Sequence, residues 1–292
     1  MRLFVQALIL GVLAGGVYAL MASGLSLAFG IMRVINVAQG VMIILGAYLS
    51  YSLFTTFHLD PFLSILLVMP LVFALGVMIQ LAFLRPLHGR DREQLSLLVT
   101  WAVALGIEGV LGVVYATTYR STIPSYANGS WRVAGFSILQ VQVYAFLLSV
   151  VVLSLLGLLL TKTRFGRAVR GTVQNPTSAA LLGVDERKVA AIGFGISVAT
   201  AGAAGAVYGI VNPFNPGSHY DLISLLLTII VLGGLGSLPG TIVAAMVVGV
   251  AEALLATYIS PTWGKFAFFI LLISVLVVRP QGLFGTVERG SL

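Results

Sequence analysis

The chain has 292 residues, 59% of them apolar by type and only 9% charged. A soluble domain carries about 25% charged residues, so these charges are too few to cover a water-facing surface, and an ordinary soluble enzyme is excluded. The mean hydropathy of +1.07 excludes a disordered chain. The absence of cysteine excludes a disulfide framework, a thiolate metal site and a cysteine nucleophile. The net charge of +7 does not indicate nucleic acid, because the basic residues sit between apolar stretches and not on one soluble face.

Taken in chain order, the charges divide the sequence into membrane-length pieces. No charge falls between Arg2 and Arg33, nor within 34–59, 61–84, 133–161, 189–220 or 266–278. The stretch 94–119 holds only Glu108, and 222–264 only Glu252. A crossing helix needs about 20 apolar residues, and 222–264 is long enough for two. The first apolar run, to Ile31, is longer than the ~7–15-residue core of a signal peptide and reads as a crossing. The expected fold is all-α: a polytopic membrane helix bundle of eight or nine crossings with broken or re-entrant segments. No polar linker divides residues 1–292, so a single domain is expected.

The positive-inside rule orients the bundle. One basic loop holds Lys162, Arg164, Arg167, Arg170, Arg187 and Lys188, and another Arg85, Arg90 and Arg92. Both are expected in the cytoplasm, together with Arg279 and Arg289. The loop from Arg120 to Arg132, with Tyr126 and Trp131, falls outside. Nine crossings put the N-terminus outside, and eight put it inside. The spacings Gly11-x-x-x-Gly15 and Gly205-x-x-x-Gly209 suit close helix packing.

Several chemistries are absent. No Gly-x-x-x-x-Gly-Lys-Ser/Thr run can cradle a nucleotide, so ATP-driven work needs another subunit. Gly24-Leu25-Ser26-Leu27-Ala28 has a faint serine-elbow spacing. A serine nucleophile needs a base, and His58, His88 and His219 are all expected at loops or span edges. No metal-ligand spacing occurs, and no enzymatic activity is expected.

Four features remain as candidates. Glu108 and Glu252 lie inside expected spans, where a carboxylate is costly and marks either a transport role or a hydrogen-bonded packing position. The run 30–40 places Arg33, Asn36, Gln39 and Gly40 between two apolar spans. That run reads equally as a pathway-lining helix break or as a plain cytoplasmic turn. The late run Gly233-Gly234-Leu235-Gly236-Ser237-Leu238-Pro239-Gly240 repeats the pattern of span, glycine-rich break, span. In the loop 162–188, Arg164, Arg167 and Arg170 share a helix face. There Asn175 suits an N-cap, Pro176 the first helical position and Gly183 the residue past the last turn. The short helix so bounded carries Ala179, Ala180, Leu181 and Leu182. An apolar helix in an aqueous loop is tucked under the bundle or docked in a partner's groove. Asp185 is placed to cap the following span.

Together these stretches resemble the permease subunits of branched-chain amino acid ABC importers, the LivH type. The resemblance spans nearly the whole chain. It rests on Gly24–Gly30 running into Arg33–Gly40, on Leu45-Gly46-Ala47-Tyr48, on Arg164–Arg170 with Asn175-Pro176 and Leu182–Asp185, and on Gly233–Gly240. The family often has His where Gln39 stands and an acidic residue where Val41 stands. The resemblance implies a bacterial or archaeal inner-membrane importer with a second, related permease, two cytoplasmic ATPase subunits that use ATP, and an extracytoplasmic binding protein. This chain itself would bind no cofactor. Residues 33–40 would line or gate the pathway, and 164–185 would couple to the ATPase; the run 233–240 joins the pathway on its own pattern, as the matching interruption late in the chain. Urea, short amides or another small polar solute are alternative cargoes, and a stand-alone proton-coupled transporter using Glu108 and Glu252 is the alternative class.

Overall fold

The computed structural model describes residues 1–87, 92–133, 135–264, 266–279 and 282–284. His88, Arg90 and Arg289 lie outside the described residues. Among those described, nine helical segments are long and apolar enough to cross a membrane, the upper of the two expected counts.

The element boundaries follow local chemistry. Helix α1 (Arg2–Met32) ends where Arg33 turns left-handed at φ 51°. Helix α2 is Gln39–Phe57. Asp60 caps α3 (Pro61–Ile79) by accepting from the Phe62 N–H at 2.8 Å, and Pro61 needs no partner at the first position. A π-turn, Gln80–Leu84, extends α3. After α4 (Arg92–Tyr115) comes a small antiparallel hairpin, β1 (Ser130–Val133) and β2 (Phe136–Leu139), with Trp131 opposite Ile138. Helix α5 (Gln140–Lys162) leads to two short helices, α6 (Arg164–Gln174) and α7 (Pro176–Leu181). Helix α8 is Glu186–Val211, and a single 3-10 turn, Pro216–Ser218, opens α9 (His219–Gly233). Helices α10 (Leu238–Tyr258), α11 (Pro261–Gly264) and α12 (Ala267–Val278) complete the chain.

Helix α8 is the axis of the bundle. Its membrane window is 89% buried, against 17% for α4, so α8 packs on all sides and α4 lies at the edge. Small residues make this possible, since helices in lipid associate through close backbone approach. A Cβ at Gly205 would strike the Ile43 carbonyl of α2, and one at Gly202 the side chains of Val72 and Val68 on α3. Gly11 and Gly15 press on Gly249, Val250 and Met246, closing α1 onto α10.

Two connections do not stay at the membrane surface. Gln39, the first residue of α2, donates from Nε2 to the Ser197 carbonyl at 3.2 Å. Ser197 lies roughly 17 Å along α8 from its Glu186 end, at 1.5 Å per residue. The segment 33–38 therefore climbs without helix from the basic end of the bundle to mid-depth, where α2 begins. The segment 212–218 does the same from the other end, with only the single 3-10 turn Pro216–Ser218 in it. Helix α8 runs on to Val211, yet α9 starts at His219, whose carbonyl is against Gly40. Helix α9 has only 15 residues to reach the basic end again. Two short helices thus begin in the bundle interior, entered from opposite sides, and their N-termini meet at Gly40 and His219.

Candidate functional site

Around the start of α2, polar groups are fully enclosed. Asn36, Gln39, Thr100 and Ser197 are all 0% exposed. Asn36 Nδ2 donates to Gln39 Oε1 at 3.2 Å, and Ser197 Oγ donates to the Gly24 carbonyl at 2.6 Å. The Val37 N–H donates to Thr100 Oγ1 at 3.2 Å. The non-helical segment 33–38 is thereby tied to α2 through Asn36 and to α4 through Val37, as backbone at membrane depth must be, while Gln39 and Ser197 join α2 to α8 and α8 to α1. Gly24 is the tightest point: a Cβ there would lie 2.4 Å from the Ser197 carbonyl oxygen and 2.5 Å from Gln39 Nε2. Among the described residues, Asn36 Oδ1 has no hydrogen-bond partner.

Arg33 is separated from this knot. It is exposed at the basic end, in the wall of a cavity of about 410 Å³ shared with Gly30, Arg92, Gln174 and Glu186. The run 233–240 is also at that end. Helix α9 ends at Gly233, Gly234 and Gly236 take φ 93° and 79°, and Ser237 caps α10 by accepting from the Gly240 N–H at 3.2 Å. Gly236 lies against Gly30 of α1, and Gly233 against Gly240. Pro239 sits in the first turn of α10. The structure so brings Arg33 and the 234–237 turn to one end, and Asn36, Gln39 and Gly40 to mid-depth.

The interior break that sequence reasoning missed is 212–218. The expectation for His219 is a loop or span edge, but it stands 2% exposed, inside the membrane-length segment Pro216–Gly233. The signal was present as two Asn-Pro pairs, Asn212-Pro213 and Asn215-Pro216, followed by Gly217, a turn composition. His219 Nδ1 bonds the Pro216 carbonyl at 2.9 Å, and among the described residues its Nε2 has no hydrogen-bond partner.

Both intramembrane acids have tyrosine donors. Tyr18 donates to Glu252 Oε2 at 2.7 Å, linking α1 to α10. Tyr220 donates to Glu108 Oε2 at 2.9 Å, and His219 Nε2 lies 3.9 Å from the same oxygen. Ser26 is in continuous α1 helix with its Oγ buried and unpartnered, without the strand–turn–helix of a serine elbow.

At the outer end the 120–122 segment closes over the α8–α9 connection. Arg120 and Phe214 exchange both backbone hydrogen bonds at 2.8 Å. The Arg120 guanidinium donates to Tyr51 Oη at 3.0 Å, and Phe214 packs edge-on to the buried Tyr48, which stacks on Tyr115.

At the basic end, Thr163 caps α6 and Arg164, Arg167 and Arg170 are exposed along it. Asn175 Oδ1 accepts from the Ser178 N–H at 2.9 Å and caps α7, and Gly183 takes φ 84° past its end. Asp185 Oδ1 accepts from the Arg187 and Lys188 N–H groups at 3.0 and 3.2 Å. The Lys188 bond first, then that from Arg187, hold its carboxyl below the usual carboxylate range. On α7, Ala179 turns inward, whereas Leu181 and Leu182 are 86% and 85% exposed.

This is the architecture of a multi-pass membrane transport protein: an all-helical bundle with interrupted spans whose short helices begin at mid-depth. The profile of the family described as the permease component of the branched-chain amino acid transport system matches residues 7–276, and the chain belongs to that family. The high-affinity branched-chain amino acid transport system permease protein LivH of Salmonella typhimurium is 30% identical, over 98% of this chain and 96% of its own. BraD of Pseudomonas aeruginosa, a permease protein of the same description, is 29% identical over 98% and 97%. A probable branched-chain amino acid transport permease protein LivH of Methanocaldococcus jannaschii is 30% identical over 91% and 88%. Bacterial and archaeal relatives and nine membrane-length segments among the described residues make this an inner-membrane permease.

Proposed function

We propose that this chain imports branched-chain amino acids as one permease of a pair, driven by two separate ATPase subunits and supplied by an extracytoplasmic binding protein. The exposed pair Leu181 and Leu182 carries the reading. Two leucines held out into water by a six-residue helix, capped at one end by Asn175 and closed at the other by Gly183, form a knob with no use inside this chain. A partner's groove covers it, and the row Arg164, Arg167 and Arg170 beside it meets acidic groups on that partner. The relatives named above supply the cargo class. ATP is used by the partners; this chain contributes the pathway and the lever.

Helices α6 and α7 join α5 to α8, so a push on α7 reaches the axis of the bundle directly. Helix α8 holds Gln39 through Ser197, and with it the start of α2. Movement of the ATPase pair then shifts the interior helix starts relative to one another, a rigid-body exchange between two packed states. Asn36, Gln39 and Gly40 are the inner-depth elements of the pathway, and Arg33 with the Gly233–Gly240 turn its cytoplasmic mouth. Glu252 bridges α1 and α10 and serves packing.

Gentle purification of the tagged chain from its native membrane tests the assembly. Recovery of nucleotide-binding subunits and a second polytopic chain is expected. Recovery of the chain alone would overturn the proposal.

A further inference from the structure

The polar group left unexplained is on the edge face of α4 and the first turn of α9. Leu98, Trp101, Leu105 and Glu108 follow helical spacing on α4, on a side that, among the described residues, the first turn of α9 covers only in part, through Tyr220. Trp101 is 43% exposed, Tyr220 38%, and the Glu108 side chain 25%. A carboxylate on such a face at membrane depth is costly against hydrocarbon, which favours protein or water on this side. Tyr220 stands between the other rings: its centroid is 4.0 Å from that of His219 and 6.0 Å from that of Trp101.

The hydrogen-bond directions define what is missing. The Pro216 carbonyl can only accept, so His219 Nδ1 carries the hydrogen between them. In neutral imidazole Nε2 is then an acceptor. It faces Glu108 Oε2, another acceptor, across 3.9 Å, too far for a direct hydrogen bond. Among the described residues, Tyr220 supplies the hydrogen bond donated to Glu108. Nε2 is closed off from solvent in this structure, so one nitrogen carrying several hydrogens reaches both acceptors, each at about 2.9 Å, only when the side chains around them part. Aromatic faces of Trp101 and Tyr220 alongside favour a positive charge on that nitrogen.

We infer that Trp101, Glu108, His219 and Tyr220 form a binding site for a primary ammonium group, through which an amino-acid cargo is held during passage. The inference rests on the proposed transport of amino acids and adds the residues that recognise the α-ammonium. The site sits beside the meeting point of α2 and α9, at Gly40 and His219. An ammonium there bridges Glu108 and Nε2 and removes the orphaned acceptor. A neutral amide or urea supplies N–H donors but no charge to match the carboxylate.

The test uses the complete complex in proteoliposomes. ATP-driven leucine uptake is measured first, with binding protein, for the wild type. Radiolabelled leucine retained by the complex without binding protein is then measured, with leucinamide and 4-methylpentanoate as competitors. Leucinamide keeps the ammonium and lacks the carboxylate; 4-methylpentanoate is the reverse. Competition by leucinamide and none by 4-methylpentanoate is expected. Glu108→Gln removes the charge and keeps an acceptor for Tyr220. His219→Asn keeps a donor for Pro216 and removes Nε2. Each is expected to lower leucine retention about tenfold or more, and Tyr220→Phe less, with all subunits still co-purifying. If uptake occurs and the assembled variants retain leucine as the wild type does, the ammonium site is wrong and the transport reading stands. Equal competition by 4-methylpentanoate, or by urea, also overturns the site. No leucine uptake by the wild type overturns the transport reading and the site with it.

Discussion

Gly24→Ala is the perturbation that strikes the polar knot at the start of α2 most directly. The added methyl would lie 2.4 Å from the Ser197 carbonyl oxygen, 2.4 Å from Thr200 Oγ1 and 2.5 Å from Gln39 Nε2. Carbon–oxygen and carbon–nitrogen contacts prefer about 3.4 Å or more, so α1 must part from α8 by close to 1 Å or Gln39 must leave. Overpacking of this kind costs about 1–3 kcal/mol. Losing the Gln39 bond to Ser197 adds roughly 1 kcal/mol. A total of about 3 kcal/mol should lower the apparent Tm of the purified complex by roughly 5–10 °C. Transport should fall further, because the displaced group holds the start of α2. The control is Gly109→Ala, where no atom lies within 4 Å of the new Cβ. There alanine favours the helix by about 0.5–1 kcal/mol, and no loss is expected. Thermal denaturation followed by size-exclusion chromatography compares the two. Equal tolerance of both substitutions would refute the close packing of α1, α2 and α8 at this depth.

Three further outcomes follow from the geometry. Leu181→Asp together with Leu182→Asp should uncouple or dissociate the ATPase while leaving the membrane bundle folded, read as lost co-purification at unchanged expression; retained ATPase and uptake would contradict the docking role. Asp185 has a carboxyl held below its usual range, so its cap is stabilising above the unfolded-state pKa and is lost as pH falls through the lower folded-state value; hydrogen-exchange protection of the Arg187 and Lys188 amides should drop below about pH 4, and Asp185→Ala should already lack it at neutral pH. The chain has no cysteine, so Ser218→Cys gives a single thiol beneath the Arg120–Phe214 closure; adding Arg120→Ala, which removes the bond to Tyr51, should speed its labelling by an external thiol reagent about tenfold.

Most of the frame was legible in the sequence because charge spacing reports which backbone meets water. The crossing count, the two-helix loop and the caps at Asn175 and Asp185 follow from that and from local hydrogen-bond chemistry. Charge spacing cannot report where a helix breaks inside protein. Residues 212–218 carry no charge, so they vanish into the uncharged stretch 189–220, although two Asn-Pro pairs interrupt it. His219 reads as an edge residue for the same reason: nothing in sequence distinguishes a turn at the surface from one at mid-depth. The run 233–240 shows the converse. Its glycines read as an interior break, whereas Gly234 and Gly236 make a tight turn at the basic end, against Gly30. The pairing of Glu108 with Tyr220 spans 112 positions and is set by packing alone.

The central claim is that this chain moves its cargo only as part of an ATP-driven assembly. Leucine uptake into proteoliposomes tests it most directly, comparing the chain alone under a pH gradient with the chain joined by its second permease, ATPase subunits and binding protein. Uptake that requires every subunit and ATP on the ATPase side, with none by the chain alone, is the predicted result. Uptake by the chain alone, driven by the pH gradient, would contradict the account and return Glu108 and Glu252 to the centre of the mechanism.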